Sequence, residues 1–444
     1  MNVLYLHQHF ATRAGSGGTR SWEFSRRLLR LGHTVTMIAQ VRRGGGIQTP
    51  GRHDLDGVQL ILLGGFYTNH LANWRRAWQF VRVMIQASFL RRLPHRPDVV
   101  VASSTPLTIG IPGWILARRH GVPFVFEVRD LWPEAPIQLG VLRNPVLRWL
   151  AIRLERFLYR RADVIIPLSP GMEAGVLAAG ADPRKVVTIP NASDVDLFAP
   201  RHRDRSTLER WGFGDRFVVV HAGMMGEANG LQYVLDAAKE LHDRGEHGPA
   251  FLVIGEGITR RRLREQAEAW GLTNIEFPGS IPREELGAIV SSCDVSMVCF
   301  ADYPVLQTNS PNKLFDGFAA GLPCIVNSAG WTKRLVEGHD AGGYVDAREP
   351  AQLADAVLAL QSDEELRTRQ GANALHLGTT VFSRERLGTR FTDVLEHLAG
   401  SPRNARRVLP ETLRAPMVPD VAQEPDDRAI AGAAAAAAAT TAAP

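Results

Sequence analysis

The stretch N-V-L-Y-L-H-Q-H-F-A-T-R-A-G-S-G-G-T, residues 2–19, decides the fold class of this chain. Its first part, Val3–Leu6, is a short apolar run typical of a buried strand, and a loop with three glycines follows. Residues 20–31 predict a helix that ends at Gly32, a frequent residue just after a helix C-terminus. Residues 34–39 then predict a β-branched strand. A strand, a glycine-rich loop, a helix and a strand in this order open a doubly wound parallel sheet.

The glycines of this loop are Gly15, Gly17 and Gly18, and their spacing argues against a nicotinamide cofactor. They do not form G-x-G-x-x-G, and no acidic residue ends the next strand, as the dinucleotide fingerprint requires. A loop whose backbone approaches a phosphate fits the spacing, and so does an ordinary flexible turn.

The second half of the chain repeats the pattern. A strand at 217–221 precedes the turn A-G-M-M-G-E-A-N-G, a helix spans 231–244, and a strand at 250–254 ends in G-E-G. The pattern therefore predicts an α/β protein with two Rossmann-like domains. We expect an N-terminal domain at 1–195, a second at 196–382, a helix at 383–400 that could pack back on the first domain, and a disordered Ala/Pro-rich tail at 401–444.

Further strands and one long loop follow from apolar runs and from Gly, Arg and Pro content. The strands are predicted at 58–63, 98–102, 124–128, 163–168, 186–189, 274–277, 295–299, 324–327 and 343–345, and the loop at 42–57.

Composition excludes several classes of protein. The chain has 444 residues, 45% of them apolar, and a net charge of +5, which is too weak to indicate nucleic-acid binding. No apolar run approaches the roughly 20 residues of a membrane-spanning helix, and we expect no signal peptide. The spacing of the three cysteines is not that of a metal site. So few cysteines, and an odd number of them, are typical of a protein in the reducing cytoplasm.

Two basic, aromatic-rich helices are predicted in the first half, at 73–93 and 148–161. The apolar stripe of the first is Trp74, Trp78, Val81, Ile85 and Phe89, with arginines beside it. Such helices can rest on a membrane surface that carries anionic lipid. A core helix with a solvated basic face is the alternative interpretation.

The stretch Q-T-N-S-P-N-K-L-F-D-G-F-A-A-G, residues 307–321, has the pattern of a loop that turns into a helix. Ser310 is the predicted N-cap and Pro311 the first helical residue. Lys313 and Asp316 then share one face near the helix N-terminus. Because free N–H groups there favour phosphate, the stretch could hold a nucleoside diphosphate. An ordinary helix with an exposed ion pair fits equally well.

Charged residues also follow the predicted strand at 124–128, in R-D-L-W-P-E. Ligands of open α/β sheets bind at the carboxyl ends of strands. Glu127, Arg129, Asp130 and Glu134 are therefore candidates for a site, although a structural ion-pair cluster would have the same composition.

As a set, five segments resemble retaining glycosyltransferases of family 4, which have the GT-B fold of two domains facing across a cleft. They are N-V-L-Y-L-H-Q-H-F at 2–10, G-G-T-R-S-W-E-F-S-R-R-L at 17–28, F-E-V-R-D-L-W-P-E at 126–134, I-P-N-A-S-D-V-D-L-F at 189–198 and S-P-N-K-L-F-D-G-F-A-A-G at 310–321. Within the family they are similar to the bacterial O-antigen and capsule enzymes of the N-acetyl-L-fucosamine transferase type.

The resemblance implies a UDP- or GDP-sugar donor held by the second domain, an acceptor held by the first, no metal and no cofactor. It also implies retention of configuration by same-face attack, without an enzyme nucleophile.

Carried over position by position, the resemblance assigns ribose binding to Asp316. The family's other acid would fall at Thr308, which moves the expected sugar contacts to the backbone of 309–312. The family's basic pair falls at Met224 and Asn229, so both charges are missing.

Lys313 and Arg260 are then the expected diphosphate cations. Arg129 stands where the family has histidine, and Asp130 is retained. The expected catalytic residues are therefore Arg129, Asp130 and Lys313. The expected donor-binding residues are Gly17, Gly18, Gly255, Glu256, Arg260, Asn309, Ser310, Pro311, Asn312, Leu314 and Asp316.

The function that the resemblance implies is transfer of a sugar, an N-acetylated hexosamine or deoxyhexosamine, from a UDP-sugar to a lipid-linked or glycan acceptor. This reaction would serve bacterial surface polysaccharide synthesis on the inner face of the cytoplasmic membrane. A nucleotide-sugar 2-epimerase of the same architecture and a catalytically inactive glycosyltransferase-like subunit are the alternatives.

Overall fold

The computed structural model describes residues 1–13, 19–42, 47–67, 73–201, 204–401 and 408–417. The chain forms two compact units. The first comprises Met1–Pro190 and the segment from Leu387 onward, and the second comprises Asn191–Arg386. The glycines Gly17 and Gly18 and most of the predicted tail lie outside the described residues.

The first unit is built on a seven-stranded sheet in the order β3-β4-β2-β1-β5-β6-β7. Its strands are β1 (Asn2–His7), β2 (Thr34–Arg42), β3 (Gly51–Leu55), β4 (Val58–Tyr67), β5 (Val99–Ser103), β6 (Phe124–Val128) and β7 (Val164–Pro167). Its first helices are α1 (Arg20–Arg30), α2 (Asn73–Ser88), α3 (Gly110–His120), α4 (Glu134–Gln138), α5 (Pro145–Arg161) and α6 (Pro170–Ala178).

Helices cover both faces of this sheet. Crossover connections between parallel strands are right-handed. The connection from β1 to β2 runs in one direction along the sheet, and the connections from β4 to β5, β6 and β7 run in the other. The helices of these two sets therefore lie on opposite faces. Helix α2 packs on α3, and α3 packs on α5, which makes one continuous helical layer.

The predicted strands of this unit form with one exception, and one further strand was not predicted. The predicted loop at 42–57 contains β3, an antiparallel edge strand paired with β4. The predicted strand at 186–189 is wrong, because this segment makes only a single bridge, from Val186 to Ile165.

The second unit has a six-stranded parallel sheet in the order β10-β9-β8-β11-β12-β13. Its strands are β8 (Phe217–Ala222), β9 (Pro249–Ile254), β10 (Ile275–Gly279), β11 (Val295–Val298), β12 (Cys324–Val326) and β13 (Gly342–Tyr344). Its helices are α7 (Val195–Phe198), α8 (Ser206–Glu209), α9 (Gln232–Asp243), α10 (Arg260–Ala269), α11 (Arg283–Ser292), α12 (Asn312–Ala319), α13 (Trp331–Gly338), α14 (Pro350–Ser362) and α15 (Glu364–His376).

Side-chain alternation along the central strands creates two cores. Phe217 and Val219 of β8 pack in one cluster with residues of α9 and α14. Val218 and Val220 pack in the other, with residues of α8 and α11. Strands buried on both faces are typical of doubly wound sheets, so the carboxyl edge of the sheet remains for the site.

The last helices of the described residues are α16 (Arg384–Gly400) and α17 (Glu411–Arg414). In the first unit, Phe391 of α16 stacks on Phe24 of α1 at 4.7 Å between ring centroids and on Tyr5 of β1 at 6.1 Å. The last helix therefore closes the face of the first sheet that α1 covers. Across the described part of the chain, no helix has the length and apolar content needed to cross a membrane.

Candidate functional site

Three loops of the second unit meet, backbone against backbone, at the carboxyl ends of β8, β9 and β10. The N–H of Gly223 donates to Ile254 O at 2.9 Å, the N–H of Gly255 to Gly279 O at 2.9 Å, and the N–H of Met225 to Glu256 O at 2.9 Å. The strand ends are thus joined by main-chain hydrogen bonds.

Glycine is required where these loops touch. Gly255 has a φ of 145°, and a Cβ atom there would lie 1.8 Å from Gly223 O. A Cβ on Gly257 would lie 2.1 Å from Met225 O. The predicted donor residues Gly255 and Glu256 therefore belong to a tightly packed edge where backbone contacts backbone.

Lys313 brings a cation to the same edge. Its Nζ atom donates to Asn229 Oδ1 at 3.0 Å, lies 3.3 Å from His221 Nε2, and lies 5.0 Å from the centroid of the Phe300 ring. Gly223 adjoins it, since a Cβ on that residue would lie 3.6 Å from Nζ. Lys313 therefore reaches from α12 to the ends of β8 and β11.

Burial lowers the pKa of Lys313 to about 8. No carboxylate of the described residues forms an ion pair with it. Burial and the Lys313 charge also hold the pKa of His221 well below its ordinary value, so this imidazole is neutral at pH 7. A neutral Nε2 can accept a hydrogen bond from the ammonium group, which keeps the cation in place.

Asn229 was singled out from the sequence only as the place of a missing charge. The structure shows that its side chain contacts the ammonium group of Lys313, 84 residues further along the chain. Met224, the other position of the missing pair, has a side chain that is 57% exposed and contributes no charge.

The start of α12 differs from the prediction by one residue. Pro311 is the N-cap, with an extended backbone, and the helix begins at Asn312 without a side-chain cap. Ser310 is not the cap, because its hydroxyl and carbonyl oxygens accept hydrogen bonds from Asn191 at 3.2 and 2.6 Å. Asn309 O accepts from the Trp331 indole at 2.6 Å, so the loop before the helix is held on both sides.

Two further residues of this stretch are committed to the fold. The side chain of Leu314 is fully buried, so only its backbone could contact a nucleotide-sugar donor. Thr308 donates from Oγ1 to Val305 O at 2.7 Å, which closes its own turn. The threonine that stands at the acidic position therefore turns its hydroxyl to the main chain.

Asp316 does not pair with Lys313, which rules out the exposed ion pair of the simpler interpretation. Burial raises its pKa to about 7, while the Arg283 and Arg384 charges oppose the rise and Asp194 adds to it. Asp194 accepts from Arg384 at 2.6 Å and lies 3.4 Å from Arg283. Asp316 thus belongs to a cluster of two carboxylates and two arginines.

Arg260 has partners of its own. Its guanidinium donates to Phe277 O at 2.8 Å and pairs with Glu256 at 3.2 Å. No hydrogen bond or ion pair between described residues joins it to Lys313. The two predicted diphosphate cations are therefore not brought into contact, and the Arg260 charge is already opposed by a carboxylate.

In the first unit, the carboxyl edge carries a second polar cluster. Arg129 Nη1 lies 3.1 Å from His7 Nε2, and the Arg129 N–H donates to Ser104 Oγ at 3.0 Å. Asp130 accepts from the Thr105 hydroxyl at 2.6 Å. Burial raises the pKa of Asp130, against the effect of Thr105 and Arg129. Arg129 and Asp130, both predicted, therefore lie together where β1, β5 and β6 end.

Glu127 lies beneath this cluster and serves the fold. It is fully buried and accepts from Arg20 at 2.7 Å, Ser103 at 2.6 Å and Tyr5 at 3.0 Å. Burial alone would raise the pKa of Glu127, but the Arg20 and Arg129 charges and the hydrogen bond from Ser103 outweigh it and lower the pKa. The structure thus separates a buried anchor, Glu127, from the partly exposed Arg129 and Asp130.

Among the described residues, no group of three or more His, Cys, Asp and Glu side chains is arranged to hold a metal ion.

Comparisons with known proteins identify the family of this chain. Residues 15–192 match the family model described as "Glycosyl transferase 4-like domain", and residues 216–363 match "Glycosyl transferases group 1". The probable glycosyltransferase WbjE of Pseudomonas aeruginosa is 24% identical over 267 residues, which are 59% of this chain and 66% of WbjE, just under two thirds of its length.

Solved structures show the same fold at low identity. Sucrose-phosphate synthase from Thermosynechococcus elongatus has a TM-score of 0.73 and 18% identity, with coverage of 89% of this chain and 98% of that one. Anabaena HepE in complex with UDP has a TM-score of 0.66 and 18% identity, with coverage of 90% and 100%. The two Rossmann-like domains are those of the GT-B fold. Because the two family models together match well over half of the chain, this protein belongs to the two-domain glycosyltransferases.

Proposed function

We propose that this protein transfers a sugar from a nucleoside-diphosphate sugar to an acceptor. The observation that carries the proposal is the partly buried ammonium group of Lys313 at the glycine-lined edge of the second unit, without a carboxylate partner among the described residues. A cation withdrawn from water without an anionic partner is costly. A diphosphate would supply the missing negative charge.

Two features would hold the diphosphate. Lys313 provides a charge-assisted hydrogen bond. The N–H groups at the start of α12 provide neutral donors. As the bond from the sugar to the phosphate breaks, negative charge grows on the leaving diphosphate, and preorganised donors stabilise it. This is the catalytic role we assign to Lys313.

We propose that the reaction proceeds with retention, by attack of the acceptor hydroxyl on the same face from which the diphosphate leaves. The leaving phosphate would accept the hydroxyl proton, so no enzyme nucleophile is needed. Lys313 supplies the positive charge that a divalent metal would otherwise supply, so we propose a metal-independent reaction without a cofactor. We propose that the Asp316 carboxylate accepts hydrogen bonds from the ribose hydroxyls. We also propose that Arg129 and Asp130 contact the reacting sugars.

UDP is the proposed nucleotide. Anabaena HepE, which shares the fold, was solved in complex with UDP and with UDP-glucose. The proposed sugar, an N-acetylated hexosamine or deoxyhexosamine, rests on the sequence resemblance to O-antigen and capsule enzymes. A lipid-linked or glycan acceptor in bacterial surface polysaccharide synthesis is proposed on the same ground.

The helical layer of the first unit supports attachment to a membrane surface. The apolar stripe of α2 does not face the core: Trp78 is 59% and Phe89 is 70% exposed. At the start of α5, Val146, Leu147, Trp149 and Leu150 are also exposed, and Arg153 and Arg156 follow on the helix surface. Exposed apolar side chains beside arginines are typical of helices that rest on anionic lipid. We therefore propose that the protein works on the inner face of the cytoplasmic membrane.

Flotation with liposomes tests this attachment. Vesicles that contain phosphatidylglycerol should carry the wild type upward, and Leu147→Asp should reduce the bound fraction. Equal binding to neutral phosphatidylcholine vesicles would argue against the role of the arginines.

The alternatives are not favoured. Both family models and the relative WbjE are glycosyltransferases, and Lys313 offers a cation where an inactive subunit would need none. The deciding experiment combines thermal shift with UDP and GDP and product analysis with UDP-N-acetylhexosamines and a lipid-linked acceptor. We expect stabilisation by UDP and sugar transfer to the acceptor. Release of an epimerised free nucleotide sugar would instead identify an epimerase.

A further inference from the structure

Three partly exposed rings meet at the carboxyl edge of the first sheet. The Phe80 ring of α2 contacts Trp132 edge to face, with centroids 6.2 Å apart and planes at 82°. It contacts His9 in the same manner, at 6.3 Å and 71°. His9 follows β1, Trp132 follows β6, and Phe80 lies on the inner side of α2 with the buried Val83 and Ala87. We call these three rings the aromatic corner.

The aromatic corner adjoins the polar cluster of this edge. The backbone N–H of Trp132 donates to the backbone oxygen of Asp130 at 2.9 Å. His9 is two residues from His7, whose ring lies 3.1 Å from the Arg129 guanidinium. Ring faces and hydroxyl-binding groups are thus placed side by side, although they come from separate strands.

Buried amides fix the helix that carries Phe80. Gln8 donates to Gln40 at 2.9 Å, and Gln40 donates to Gln79 at 2.9 Å. Gly65 of β4 leaves room for this contact, since a Cβ atom there would lie 2.5 Å from the Gln79 oxygen. Because Gln79 is fixed by these contacts, the backbone next to Phe80 is fixed as well. Binding of a ligand against the Phe80 ring then costs less conformational entropy.

We propose that the aromatic corner binds the acceptor sugar, with the apolar face of a pyranose ring against Trp132 and Phe80. This inference rests on the proposed function and names where its acceptor binds. Pyranose rings have an apolar face of C–H groups and a rim of hydroxyls. Perpendicular aromatic rings provide a surface for the face, and Arg129, Asp130 and Thr105 provide partners for the rim.

The acceptor sugar fits this place better than its lipid part does. Phe80 and the exposed Trp78 lie on opposite sides of α2, because two helical positions are separated by about 200° around the axis. A lipid chain would lie along the outer side, which carries Trp78 and Phe89. The inner corner is bounded by charged and hydroxyl groups, which favour a sugar.

Binding measured without turnover separates this inference from the proposed function. The probes are methyl glycosides of glucose, galactose, N-acetylglucosamine and N-acetylgalactosamine, observed by saturation-transfer NMR on the full chain. We expect at least one probe to bind the wild type, and Phe80→Ala and Trp132→Ala to weaken it about tenfold. Trp132→Phe should retain most of the affinity. Trp211→Ala, which removes a partly exposed ring from the second unit, should have no effect.

A titration with UDP on the same variants completes the test. If the corner binds the acceptor, the affinity for UDP stays unchanged while that for the glycoside falls. Should glycoside binding survive loss of both rings, or should no probe bind the wild type, the corner is a packing contact only. A wild type that binds glycosides through the corner but never releases UDP from a UDP-sugar would overturn the proposed reaction and leave this site standing.

Discussion

Removal of the Lys313 charge should weaken donor binding strongly while leaving the fold intact. In Lys313→Met the side chain keeps its unbranched apolar stem and loses its ammonium group. A hydrogen bond to a charged partner contributes about 1.5–3 kcal/mol, and about 1.4 kcal/mol corresponds to a factor of ten. The dissociation constant for UDP should therefore rise roughly 10- to 150-fold by isothermal titration calorimetry. Lys239→Met is the matched control, because Lys239 is an exposed lysine of α9 paired with Asp243.

The position of Asn229 allows a stricter form of this experiment. Because its Oδ1 lies 3.0 Å from Lys313 Nζ, a lysine at 229 can place its ammonium group in nearly the same location. Asn229→Lys combined with Lys313→Met should restore much of the lost affinity, while Asn229→Lys alone brings two cations together. If the double variant binds UDP no better than Lys313→Met, the location of the charge is not what matters. Unchanged binding by Lys313→Met itself would refute the role of the cation.

Three further predictions concern pH, the buried anchor and the glycine edge. UDP affinity should fall as pH rises through about 8, where free Lys313 loses its proton, and calorimetry from pH 6.5 to 9.5 measures the decline. Arg20→Met leaves a buried carboxylate without its partner and should cost about 3–5 kcal/mol in urea unfolding. Arg26→Met, which breaks an exposed pair, should cost less than about 1 kcal/mol. Gly255→Ala should abolish UDP binding because its Cβ meets a backbone oxygen. Gly271→Ala, with open space around the Cβ, should cost only about 1–2 kcal/mol of backbone strain.

Removal of the Lys313 charge should weaken UDP binding but should not lower the stability of the ligand-free protein. The folded pKa of about 8 lies below the ordinary value of 10.5. The folded state therefore binds this proton less tightly than the unfolded chain, and the group opposes folding at pH 7. This penalty disappears as pH rises from about 8 to 10.5. Lys313→Met should thus melt at the same temperature as the wild type or higher, which separates a lost ligand contact from a damaged fold.

Most of the sheet could be predicted because its strands are apolar runs buried on both faces. The strand Gly51–Leu55 could not, since it reads G-R-H-D-L and lies at a sheet edge where only pairing with β4 defines it. The segment 186–189 has the composition of a strand but contributes one bridge beside β7. Edge pairing depends on partners distant in sequence, which composition does not report.

The candidate site was predicted in part for a related reason. The helix after the proline and its cation Lys313 follow from local residue types, although the helix begins one residue later than predicted. The contact of Lys313 with Asn229 joins α12 to the segment after β8, which only the sheet order brings together. The pairing of Arg260 with Glu256 joins residues only four positions apart, but Glu256 lies in the loop before α10, so helical spacing does not predict it. The apolar stripe of α2 faces outward because the sheet lies on the other side of the helix. The sequence of the stripe alone does not specify on which side the sheet lies.

Lys313 and Asp316 differ in what their perturbed protonation means. Burial shifts the pKa of both towards neutrality, to about 8 and about 7. Perturbed pKa values accompany functional sites, but structural ion-pair networks produce them as well. Asp316 lies near Arg283 and Arg384, so a network explains its burial without any ligand. Lys313 contacts a neutral imidazole, an amide and an aromatic ring. Because none of these neutralises the ammonium charge, Lys313 is the residue of α12 to which we assign the diphosphate of the proposed donor.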